Sequence, residues 1–158
     1  MGIMAAVVIP RLFTRKDRPI EMLVEQIAQL TTMGYERAII TGKRHRLFFE
    51  IADTSSVSLQ VEHVNPASKE QKFLAVNDSY MQDSYRWDNR CFIPNFYIKA
   101  IDEAGHKSLK TAWFFIQPQG TAQEVIINIK DEETGDERGM VLNPFTVHFT
   151  VYETFQSP

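Results

Sequence analysis

The chain has 158 residues, 44% of them hydrophobic and 23% charged, with a formal net charge of −3. Those values describe one globular domain able to bury its own core and exclude a disordered chain. A negative balance argues against nucleic acid as a partner, since phosphate binding needs a basic surface, and the lone cysteine, Cys91, excludes an intramolecular disulfide.

The first residues are MGIMAAVVIPRLFTRKDRP. Residues 1–10 are uncharged, and all are apolar apart from Gly2 and the closing Pro10. A bilayer-spanning helix needs about 20 apolar residues, and a secretory signal carries its basic residues before its apolar core. Here Arg11, Arg15, Lys16 and Arg18 come after it. The stretch therefore reads as the downstream half of a membrane helix whose upstream half precedes this sequence. Basic residues in that place suit a lipid headgroup surface or, equally, a solvated helix face.

From Pro19 to Thr41 the apolar period is helical. Ile20, Leu23, Val24, Ile27, Leu30, Gly34 and Ala38 fall on one stripe, with Glu21, Glu25, Gln26, Gln29, Glu36 and Arg37 opposite. Pro19 with Glu21 suits a helix start, and Gly42 before Lys43 and Arg44 suits its end. A long amphipathic helix is expected.

After Gly42 the period falls to two. Leu47, Phe49 and Ile51 alternate with Arg46, Phe48 and Glu50, then Val57, Leu59 and Val61 alternate with Ser58, Gln60 and Glu62. With ADTSS as the turn, residues 45–63 predict a β-hairpin. Residues 64–90 lack sustained periodicity and predict a long polar loop. Strand patterns return at 92–101, broken by Pro94, at 108–117 and at 124–130, with DEETGDERG as a turn. Residues 141–155 read as one last strand with Phe145, Val147, Phe149 and Val151 on one face.

Catalytic chemistry is not visible. His45, His63, His106 and His148 are scattered singly, without the clustering of a zinc site. Cys91 sits among strand formers and reads as a buried structural thiol. No nucleophile elbow, P-loop or dinucleotide fingerprint occurs. Asp131, Glu132, Glu133, Asp136 and Glu137 lack the spacing of a calcium loop and read as a solvated hairpin tip. Tyr80, Tyr85 and Trp87 form a partner surface or fold back to cap the core. No catalytic residue, metal ligand or cofactor-binding residue is expected.

MGIMAAVVIPRL resembles the second half of the N-terminal segment shared by type IV pilins and type II secretion pseudopilins. Gly2, Ile3, Ala5, Ala6, Ile9 and Pro10 match its G-I-x-A-A-x-x-I-P stretch. Further on, the chain is most similar to the H-type minor pseudopilins (the GspH/FimT group). YERAIITGKRHRLFFEI, with Arg37, Ala38, Ile39, Gly42 and Leu47, resembles their exit from the helix into the first strand. WFFIQPQGTAQEVIINIKD, with Phe115, Pro118, Gly120 and Ile127, and MVLNPFTVHFTVYE, with Leu142 and Pro144, resemble their C-terminal strands. Phe145 and Thr146 stand where a glycine often follows the Leu-x-Pro step, and Pro19 is an extra helix breaker that places a kink near residues 10–19.

The resemblance implies an α+β, pilin-like fold: a long N-terminal helix packed on an antiparallel β-sheet or β-sandwich domain. Residues 1–10 are then the remainder of the membrane helix, 11–42 its amphipathic periplasmic part and 43–158 the globular β domain. It implies no enzyme but a structural subunit of the type II secretion pseudopilus, anchored in the bacterial inner membrane with its domain in the periplasm. Ile3, Val7, Ile9, Pro10, Leu23, Ile27 and Leu30 are the implied membrane and filament contacts, and Tyr80, Tyr85 and Trp87 a candidate partner loop. The implied partners are other minor and major pseudopilins, with secreted cargo or the outer-membrane secretin, and no nucleic acid. Two alternatives stay open: a minor pilin of a type IV pilus or DNA-uptake machine, and a soluble ligand-binding β domain.

Overall fold

A computed structural model describes residues 18–77, 80–104 and 110–158. Helix α1, Pro19–Thr41, covers the span that the spacing predicts. Pro19 takes the first helical position, where a missing N–H leaves no bond unmade. Gly42 closes the helix in the left-handed region (φ 64°) and donates its N–H to the Ala38 carbonyl.

Among the described residues eleven strands follow: β1 His45–Glu50, β2 Thr54–Val64, β3 Gln71–Ala75, β4 Ser84–Asp88, β5 Cys91–Ile98, β6 Ile101–Asp102, β7 Thr111–Gln117, β8 Thr121–Ala122, β9 Val125–Asp131, β10 Glu137–Asn143 and β11 His148–Tyr152. A first antiparallel sheet has the order β3-β2-β1-β7-β8, with β4 also paired to β2. A second has the order β11-β10-β9-β5-β6. Pro94 breaks the β5–β9 register between Phe92 and Asn95, as a residue without an N–H must.

The inner faces carry Leu47, Phe49, Leu59, Phe114 and Ile116 from the first sheet and Phe96, Ile127, Ile129 and Met140 from the second, all fully buried. The apolar stripe of α1 joins the same core and touches strands of both sheets. Gly34 marks the closest approach to the first sheet. A Cβ there would lie 2.8 Å from both Ile116 Cδ1 and Leu59 Cδ1. At its other end α1 is tied to β10 by the ion pair of Glu21 with Arg138.

The expected α+β, pilin-like architecture is overturned. Strands make up 49% of the described residues, in two antiparallel sheets, and the helix only 17%. The physical reason is that α1 ends at Gly42 after 23 residues and adds its stripe to a core built mainly by β-strands. Two further expectations are corrected. The supposed loop over 64–90 contains β3 and β4, which cover successive halves of the β2 edge. The supposed last strand is a hairpin of β10 and β11. Asn143 folds it, its Oδ1 accepting the N–H groups of Phe145 and Thr146 and its carbonyl that of Val147.

The C-terminal residues 153–158 turn back over the outer face of the second sheet. Asn128, buried there, accepts the Gln156 N–H on Oδ1 and donates Nδ2 to the Gln156 carbonyl, both at 2.9 Å. Beneath the same strap lies Gly139, where a Cβ would come within 2.5 Å of the Thr154 carbonyl oxygen.

Candidate functional site

Ile3, Val7, Ile9 and Pro10 lie outside the described residues. Leu23, Ile27 and Leu30, expected to face neighbouring subunits, are at most 2% exposed and packed in the protein's own core. The helical stripe alone predicts one side against a sheet and one side free for neighbours; two sheets cover it instead. Among the described residues no helix is long and apolar enough to cross a membrane.

The aromatic trio splits. Tyr85 and Trp87 belong to β4, not to a loop, and alternate inward. Trp87 is buried and donates its indole N–H to the Cys91 carbonyl at 3.0 Å. Tyr85 stacks on it at 6.4 Å between centroids, and burial, helped by Cys91 and Asp88, pushes its phenol up. Tyr80 alone stands in solvent, 95% exposed.

A surface that the sequence reading did not assemble lies on the outer face of the first sheet. Residues 45, 47 and 49 of β1 point inward, so Arg46 and Phe48 point outward beside Arg44. Register sets Phe115 opposite Arg46 and Trp113 opposite Phe48. Phe73 arrives from β3 and stands 5.6 Å from Phe115, centroid to centroid. In a flat sheet those two strands, three spacings apart, would be about 14 Å from each other. The contact therefore requires the sheet to curl, with its β3 edge leaning over the face. The Arg46 guanidinium carbon lies 4.3 Å from the Phe73 centroid, 4.9 Å from Phe48 and 5.3 Å from Trp113. That of Arg44 lies 4.6 Å from Phe115 and 5.6 Å from Phe73. Arg44 Nη2 pairs with Glu62 Oε1 at 2.7 Å, while its Nε is buried without a partner among the described residues. The local signal was the alternation Arg44, Arg46, Phe48; the rings from β3 and β7 join it only through long-range pairing.

The titratable groups inside are structural in geometry. Cys91 is buried, and its thiol is pushed up to about 11 by burial and then by Asp131. Such a thiol is a poor nucleophile at neutral pH. Asp131 closes the turn before β10, and no set of three or more His, Cys, Asp or Glu among the described residues is placed to hold a metal ion.

His45 is 1% exposed, and its Nδ1–H donates to the Lys43 carbonyl at 2.9 Å. Burial, followed by the charges of Arg37 and Lys43, holds its imidazole below the ordinary value against the opposing pull of that hydrogen bond. A base with a depressed folded pKa binds its proton first in the unfolded chain. Stability is therefore full above about pH 6.5 and falls as the pH drops below it. His45→Gln is expected to flatten this slope; urea midpoints at pH 7.5 and 5.5 measure it, and an equal slope in the variant would exclude His45 as its source.

Comparison of the chain with protein-family models, curated proteins and solved structures gives no match.

Proposed function

We propose that the chain is a non-catalytic assembly subunit, a minor pseudopilin of a type II secretion pseudopilus, anchored in the inner membrane with its β-rich domain in the periplasm. The observation that carries this reading is the match of residues 2–10 to the pseudopilin N-terminal segment, followed by Arg11, Arg15, Lys16 and Arg18 and then by helix α1. The reading rests on that motif and not on the fold. Because the stripe of α1 is taken up by the protein's own core, contacts with neighbouring subunits fall to the apolar stretch upstream. Ile39 and Ile40, 48% and 81% exposed at the helix end, can join them.

The test is made on native protein extracted from the membranes of its own cells, by N-terminal sequencing and intact mass. An N-methylated phenylalanine upstream of Met1 is the expected result. A native chain that starts at Met1 and sits in the soluble fraction would overturn the proposal and favour a ligand-binding domain.

A further inference from the structure

The outer face of the first sheet holds two crowded guanidinium groups that differ in their partners. Arg44 is matched by Glu62. Arg46 is not: its Nε donates to the uncharged Gln60 Oε1 at 2.7 Å, and among the described residues its two Nη atoms have no hydrogen-bond acceptor. Three rings crowd that guanidinium and strip water from its faces. Burial already holds it below the ordinary arginine value. A cation in so lowered a dielectric attracts an anion more strongly than one in open water.

What stands unmatched is the single guanidinium of Arg46, which one carboxylate fits. A polyanion such as nucleic acid would bring many charges to a face that also bears Glu62 and, further along β1, the exposed Glu50. Arg44 shows on the same face that a guanidinium here takes a carboxylate. Next to Arg46, Trp113 remains 39% exposed although it stacks with Phe48 at 6.2 Å. Tryptophan and arginine are the residues that dominate binding energy at protein interfaces.

We infer that this face docks a protein partner through one Asp or Glu side chain, held bidentately by the Nη atoms of Arg46, with a neighbouring aromatic residue of the partner stacked on Trp113. The planar fork of arginine fits a carboxylate with two parallel bonds. The inference does not depend on the assembly reading and applies to any carrier of such a segment.

The experiment titrates the full ¹⁵N-labelled chain with N-acetyl-Phe-Glu-amide and, separately, N-acetyl-Phe-Gln-amide. The indole N–H of Trp113 is the reporter, and that of buried Trp87 the internal control for an intact fold. The expected result is a saturable shift of Trp113 with the Glu peptide and little with the Gln peptide. Arg46→Gln should weaken Glu-peptide binding by about tenfold or more, the scale of a charge-assisted bond. Equal shifts from both peptides, or unchanged binding in Arg46→Gln, would overturn the inference. So would a Trp113 response to inorganic phosphate or a single-stranded oligonucleotide but not to the Glu peptide. Should Arg46→Gln disturb the Trp87 signal, Arg46→Lys decides, since it keeps the charge and loses the fork; undiminished binding by that variant also overturns the inference.

Discussion

Replacing Phe49 with Ala is expected to lower the unfolding free energy by about 3–5 kcal/mol, the range for deleting a fully buried aromatic ring. Phe49 lies on β1, the middle strand of the first sheet, and is 0% exposed. Its ring meets Phe96 of the second sheet edge-on, at 5.1 Å and 70°, and Phe114 of its own sheet at 6.4 Å. It therefore joins the two layers, and its cross-strand neighbours Val57 and Ala112 are too small to fill the space it would leave. A domain of this size has about 5–15 kcal/mol of stability in all, so the loss takes a large share. Urea unfolding measures it, with Phe48→Ala as the control. Phe48 lies one residue away on the outer face, half-buried against Trp113 and Arg46, and its removal should cost about 1 kcal/mol. Equal losses from the two variants would mean that the faces of β1 are assigned wrongly.

The contrast between Phe48 and Phe49 marks how far the sequence could be read. Alternation over 45–63 is long and regular enough to give the first hairpin and its inner face, because Leu47 and Phe49 of β1 and Val57 and Leu59 of β2 are buried on one side. Strand β4 offers only Tyr85 and Trp87 as inward residues, and β3 only a half-buried Phe73 between exposed neighbours, so neither rises above the polar run around it. At the other end the difficulty was reversed. Phe145, Val147, Phe149 and Val151 keep a period of two straight through a turn, although Val147 is buried at positive φ and Phe145 is 79% exposed. The Asn143–Pro144 step was the signal that should have outweighed them. The fold class failed for a related reason: the helix was legible in length and stripe, but how many sheets share its core depends on pairing between distant segments. The same dependence hid the arginine and aromatic face, half of which comes from β1 and half from β3 and β7.

Removing the carboxylate of Asp131 should be the costliest polar change, at about 3 kcal/mol, the lower end for breaking a buried ion pair. Asp131 is 1% exposed at the end of β9, opposite Cys91. Arg90 Nε donates to both of its oxygens, at 3.0 and 3.1 Å, and Oδ1 also accepts the N–H groups of Glu133 at 2.9 Å and Thr134 at 3.3 Å. Asp131→Ala strands all three donors in the turn that starts β10. Part of the loss is recovered because Arg90 is 27% exposed and keeps Glu133 at 2.9 Å. The pH dependence separates the charge from the shape. Burial pushes the Asp131 carboxyl up, but the hydrogen bonds from Arg90 and the two N–H groups, with the charge of Arg90, outweigh it and hold the carboxyl below its ordinary value. A depressed carboxylate stabilises the fold above its unfolded pKa of about 3.9 and ceases to as the pH falls through the lower folded value. In Arg90→Ala two of the effects that hold the carboxyl down vanish, so it rises relative to the natural chain and the stability lost as the pH falls below about 4 should shrink. Unfolding midpoints across pH 3–7 for the natural chain and Arg90→Ala give the sign directly. Parallel curves would show that Asp131 is held by its turn alone and that Arg90 contributes nothing to its charge.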